Sequence, residues 1–121
     1  MKLTVIFLIS TLVLTSQKKT EPVKPYVIEV TTFKYIATVN AETFWVADAE
    51  LEADYTSVQP GFISRESGFS QTTGEVVVVV RWKTMADAEA SMQKFITDKS
   101  VTTYAKMIDV KTMKMNRYSV H

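Results

Sequence analysis

Apolar and polar positions along the chain alternate with two different periods. Tyr26 to Ile36 (YVIEVTTFKYI) is rich in β-branched and aromatic residues and predicts a first strand. Asn40 is placed to cap a helix, with Glu42 in its first turn, and Phe44, Ala47, Leu51, Tyr55 and Val58 then recur at spacings of three and four. That stripe predicts a helix from about Ala41 to Val58. Asp48, Glu50, Glu52 and Asp54 fall largely off it and are assigned to the solvated side. Gln59-Pro60-Gly61 ends the helix, Phe62 to Phe69 predicts a short strand, and Ser70 to Gly74 (SQTTG) a hairpin loop. Arg65 and Glu66 lie on what is then an edge strand and are expected to be solvated. Glu75 to Trp82 is the third strand, and Thr84-Met85-Ala86-Asp87 has the form of a capping box. Met85, Ala88, Met92 and Phe95 or Ile96 make the apolar face of the second helix. Val101 to Ile108 predicts one or two further helical turns, and Met113 to Val120 a closing strand.

Two βαβ halves joined by a hairpin predict an α+β, ferredoxin-like βαββαβ domain. Its antiparallel sheet has strands one and three at the centre and both helices on one face. The third strand contains five consecutive valines, Val76 to Val80, where a strand wet on one side would alternate. The first strand is similarly two-sided, with Ile28, Val30 and Ile36 on one side and Val27, Phe33 and Tyr35 on the other. At about 25 cal/mol per Å² of apolar surface, leaving one whole side wet costs as much as a small domain's stability margin. A homodimer is therefore expected, in which two open sheets face each other and enclose a shared barrel.

The N-terminus carries a different signal. Lys2 precedes a mostly apolar run from Leu3 to Leu14, followed by Thr15 and Ser16. This is the layout of a secretory signal peptide, assigned to residues 1–17, and the run is too short for a membrane-spanning helix. A charged, proline-containing leader follows over 18–25, so the folded domain is expected over 26–121 of an exported protein with no stable membrane anchor.

Composition narrows the chemistry. The chain has no cysteine and a single histidine, His121. Thiolate nucleophiles, disulfide scaffolds, cysteine or histidine metal clusters and Ser-His-Asp triads are thus disfavoured, and neither a metal nor a cofactor is expected. With 14 basic and 13 acidic residues there is no field for nucleic acid, and the basic, aromatic platform of an RNA-binding sheet is missing.

Pro60-Gly61-Phe62 opening strand two, Val76 to Val80 running into Arg81-Trp82-Lys83-Thr84, the alanine-rich start of helix two, and Tyr104-Ala105 before the last strand make the region from Tyr26 to Val120 resemble the antibiotic biosynthesis monooxygenase-like family. The resemblance implies a dimeric α+β barrel. Such families include cofactor-independent oxygenases acting on polycyclic phenols, haem-degrading enzymes and proteins without assigned activity. The haem degraders resemble one another in an Asn, a Trp and a His, and at the corresponding places this chain has Phe33, Ser91 and Tyr104 to Lys106. Haem chemistry is accordingly disfavoured.

If Val76, Val78, Val80 and Trp82 face the helices, then Glu75, Val77, Val79 and Arg81 face the barrel, and the matching face of strand one is expected to be Glu29, Thr31, Phe33 and Tyr35. Glu29 is the candidate base toward a phenolic ligand, since burial of a carboxylate favours its protonated form, with Arg81 or Tyr35 steadying the resulting anion. Thr31, Phe33, Val77, Val79, Trp82 and Tyr104 are the candidate substrate-binding residues, with Met107 and Met115 as further lining. The plainer alternative makes Glu29 and Arg81 an interfacial ion pair and Trp82 a packing residue. Two functions stay open: a cofactor-independent oxygenase acting on a small hydrophobic or aromatic molecule, and a noncatalytic exported binding or interaction module of the same fold.

Overall fold

The computed structural model describes residues 21–121, and the expected signal peptide over 1–17 lies outside the described residues. Four strands and three helices follow in the order β1 (Tyr26–Tyr35), α1 (Ala41–Asp54), β2 (Phe62–Phe69), β3 (Val76–Trp82), α2 (Met85–Thr97), α3 (Thr102–Ala105) and β4 (Ile108–Val120). The sheet is antiparallel in the order β2-β3-β1-β4. This is the expected ferredoxin-like arrangement, with β1 and β3 central.

Local chemistry accounts for the element ends. The Asn40 side chain accepts from Thr43 N–H at 2.8 Å, and Thr84 accepts from Asp87 N–H at 3.1 Å while donating to the Asp87 carboxylate at 2.8 Å. Helix α1 is shorter than its apolar stripe. It ends at Asp54 and a 3₁₀ turn follows over Thr56–Val58, which turns Val58 out to solvent. Gln59 is extended ahead of Pro60, as a residue before proline prefers, and Ser57 donates back to the Ala53 carbonyl at 3.0 Å. Gly61 then turns with φ 79°, and a Cβ there would collide with the Asp87 carboxylate at the start of α2.

Strand β4 begins at Ile108, five residues before the expected start at Met113. The polar stretch Asp109 to Thr112 hides it, because the register slips between Thr32 and Lys34 and Thr112 Oγ1 accepts from Lys34 N–H at 2.8 Å inside that irregularity.

All three helices cover one face. Phe44 of α1, Ala88 of α2 and Tyr104 of α3 pack with Val27, Phe33, Val76, Val78, Val80 and Trp82 in one core. Residues directly opposite across a ladder share a face, so the register decides which side chains meet. Glu29 lies opposite Val80, Thr31 opposite Val78 and Phe33 opposite Val76, whereas Arg81 lies opposite Ile28 on β1 and Ser64 on β2. The expectation that Glu29, Thr31, Phe33 and Tyr35 share a face with Val77, Val79 and Arg81 is thereby corrected. The first group points toward the helices and the second away from them. Ile28, Val30, Val77 and Val79 remain half-buried on that second face, with no helix over them among the described residues.

Candidate functional site

Small side chains on the covering helices leave a gap above the sheet. Ser91 of α2, Ala105 of α3 and Thr31 of β1 line a cavity of about 340 Å³, within the usual range for small-molecule sites. Val78, Val80 and Trp82 form its floor, and Met92, Phe95 and Met113 close its sides. The walls are predominantly apolar.

Two charged pairs border this space. Glu29, with only 7% of its side chain exposed, accepts at Oε2 from Arg117 Nε at 2.7 Å, across the β1–β4 ladder. Its other oxygen, Oε1, accepts no hydrogen bond among the described residues, and Glu29 is part of the cavity wall. Elsewhere in the lining Arg65 of β2 grips Asp48 of α1 bidentately, with Nη2–Oδ1 at 2.7 Å and Nη1–Oδ2 at 3.2 Å. Ser67 donates to Asp48 Oδ2 at 2.6 Å and Tyr104 donates to Oδ1 at 3.0 Å. Burial alone would raise the Asp48 carboxyl, but hydrogen bonds from Arg65 and Ser67, the Arg65 charge and the Tyr104 hydroxyl together hold it below its ordinary value. The same partnership keeps the Arg65 guanidinium protonated against its burial.

Burial, reinforced by the Asp48 charge, pushes the Tyr104 hydroxyl far above the usual tyrosine range. Tyr104 therefore offers its ring to the cavity while its proton stays on Asp48's side. Because the folded value is raised, the associated stability is present below the ordinary tyrosine value and is lost as pH climbs from there toward the folded value. Thermal melts of the native chain are expected to weaken progressively above pH ~10. Tyr104→Phe should flatten that alkaline limb.

Trp82 contributes ring surface to the lining. It is 1% exposed, it borders the cavity, and its indole Nε1–H is buried with no hydrogen-bond partner among the described residues. An unpaired buried donor costs about 1–3 kcal/mol, and this one is closed off from the cavity space as it is from solvent.

Of the residues singled out from the sequence, Glu29, Thr31, Phe33, Trp82 and Tyr104 meet around one space. Tyr35 shares their face but stacks on Phe44, with ring centroids 4.9 Å apart, and on Phe69. Arg81, Val77 and Val79 lie on the far side of the sheet. The anticipated Glu29–Arg81 pair is replaced by Glu29–Arg117, since Arg117 and not Arg81 stands opposite Glu29. Asp48 and Arg65, expected in solvent, are buried and paired. Two sequence signals mark them. Asp48 follows Phe44 by four and precedes Leu51 by three, on the inward stripe, and Arg65 has the same strand parity as Ser67 and Phe69. Among the described residues no group of carboxylates and imidazoles has the spacing to hold a metal ion, and no helix is long and apolar enough to cross a membrane.

No family model matches the chain, and no curated protein sequence matches it. Solved structures do. SnoaB, a cofactor-independent oxygenase from Streptomyces nogalater, superposes with a TM-score of 0.64 at 14% identity, over 80% of this chain and 94% of that one. An antibiotic biosynthesis monooxygenase-like protein from Bordetella bronchiseptica gives 0.67 at 10% identity, over 81% and 99%. One from Caulobacter crescentus gives 0.65 at 14% identity, over 80% and 91%. The chain thus has the ferredoxin-like fold of the antibiotic biosynthesis monooxygenase-like proteins.

Proposed function

We propose that this chain binds an uncharged, largely aromatic small molecule in the cavity between its sheet and its helices, as an exported homodimer. The observation that carries the reading is the polarity of the cavity: apolar walls, both charged pairs internally neutralised, and one polar atom left open, Glu29 Oε1. A ligand hydroxyl suits the carboxylate, whereas a charged ligand would lose its hydration without gaining a counter-charge. Export rests on the apolar run from Leu3 to Leu14, and the dimer on the half-buried Ile28, Val30, Val77 and Val79 of the uncovered face.

A second reading extends the first to catalysis, and the free oxygen of Glu29 favours it. Glu29 would take the proton of a bound phenol, and the electron-rich anion would then react with dioxygen. Dioxygen adds at a ring C–H carbon ortho or para to the phenolate oxygen, and the peroxide takes back the proton from Glu29. Water is then lost with O–O cleavage, so that phenol and O₂ give a quinone and water with no cofactor needed to balance the step. The fold shared with SnoaB supports this reading by analogy. Glu29→Gln separates the two readings, because it keeps shape and removes the base. Under the catalytic reading, oxygen uptake with a hydroxylated naphthalene or anthrone is expected to fall at least about a hundredfold, with ligand affinity changed only a few-fold. Oxygen uptake unchanged in the variant would remove the catalytic role, and naphthol binding by a chain that takes up no oxygen would leave the first reading alone.

A further inference from the structure

The residues at the mouth of the cavity carry an unusual combination. Ile96 of α2 and Met113 of β4 both border the cavity, yet they are 74% and 43% exposed, and Val110, three residues before Met113, is also exposed. Single exposed apolar residues are ordinary, but here they sit on the segments that frame one opening. The same segments carry Lys94, Lys99, Lys106 and Lys111, all exposed, against two acids, Asp98 and Asp109. Both acids are already engaged, Asp98 by Ser100 and Lys94 and Asp109 by the Lys111 N–H. From Ala41 to Glu66 the balance is the reverse, with Glu42, Asp48, Glu50, Glu52, Asp54 and Glu66 against Arg65 alone. A chain whose formal charge is only +1 thus has an acidic stretch over 41–66 and a basic one over 94–113; both contribute to the cavity lining, and the exposed apolar lining residues Ile96 and Met113 belong to the basic one.

We infer that this mouth docks on an anionic lipid bilayer, with Ile96, Val110 and Met113 entering the headgroup boundary and the four lysines lying over the lipid phosphates. Lysine stems suit that depth, since their alkyl portions lie along apolar surface while the ammonium groups stay at the interface. The segments from Lys94 to Met113 contain no arginine and no exposed aromatic residue, which sets them apart from a nucleic-acid surface. Docking in this orientation would open the cavity onto the phase in which an apolar ligand is concentrated. That consequence rests on the binding proposed above; the docking surface does not.

The absence of cysteine permits a site-specific test on the full chain. Ile96→Cys carries a fluorophore, and Glu50→Cys in the acidic stretch carries the same label as the control. Both are mixed with vesicles of equimolar phosphatidylglycerol and phosphatidylcholine containing acyl-chain nitroxide lipid. Quenching is expected at position 96 and not at position 50. It should disappear on pure phosphatidylcholine and near 1 M salt, where the Debye length is about 3 Å. Combining Lys99→Glu with Lys106→Glu should weaken the quenching-detected affinity at least about tenfold. Equal quenching at both positions would mean that the N-terminal run holds the chain while the domain hangs free, and would overturn the inference. So would quenching undiminished on pure phosphatidylcholine, no quenching at either position, or burial of the label at 96 by a second copy without vesicles. Naphthol titration in the absence of vesicles reports the cavity separately, so failure of the docking and failure of the ligand reading are distinguishable.

Discussion

Arg65→Ala is expected to lower the unfolding free energy by about 3–5 kcal/mol, because it leaves the Asp48 carboxylate buried without its counter-charge. Asp48 is 5% exposed and the Arg65 side chain 3%, so little solvent is available to screen the loss. The joint replacement Asp48→Leu with Arg65→Met removes both charges and fills the same space, and should retain most of the native stability. Acid behaviour separates the two proteins again. Arg65, Ser67 and Tyr104 hold the Asp48 carboxyl below its ordinary value despite burial, so its stabilisation is complete above the ordinary aspartate range near pH ~4 and is lost as pH falls through the lower folded value. Urea denaturation at pH 7 and pH 3 checks both statements. The joint variant should lack this component of acid sensitivity, and a loss of stability in it as large as in Arg65→Ala would contradict the account of the pair.

The second large effect belongs to the other face of the sheet. Val79→Lys places a charge among Ile28, Val30 and Val77, where the proposed twofold brings two copies of it together. Self-association is expected to weaken by at least about a hundredfold, close to 2.7 kcal/mol, as measured by sedimentation velocity across concentration. Ligand binding should persist in the resulting single subunits, since Val79 points away from the cavity. A native chain that sediments as a single subunit at high concentration would remove the dimer.

How far the sequence was legible follows from what each pattern encodes. The helix periods, the Thr84 cap and the Pro60-Gly61 stop are local signals, and the order of elements follows from them. The five-valine run likewise announces a strand with two apolar sides. Pairing register is not local. The first strand carries apolar residues on both parities, Val27 and Phe33 against Ile28 and Val30, so its pattern does not choose the side that meets the helices. The pattern therefore allows Glu29 to face Arg81, whereas the ladder sets Glu29 beside Val80 and Arg117. Buried charge is equally hidden in a linear pattern. Asp48 and Arg65 look solvated when polarity is equated with exposure, and only their places on the inward stripe of α1 and the inward parity of β2 reveal that each needs the other. The cavity itself depends on Ser91 and Ala105 being small where helices cross the sheet, a consequence of three-dimensional packing with no signature in the periodicity.

The alternating valines of β3 provide the most direct test of where a ligand goes. In a methyl-labelled chain titrated with 2-naphthol, saturable shifts are expected at Val78 and Val80, which border the cavity, and at Met92 and Met113. Val77 and Val79, on the opposite face, should stay unmoved. Saturable shifts at Val77 and Val79 with Val78 and Val80 silent would contradict the account.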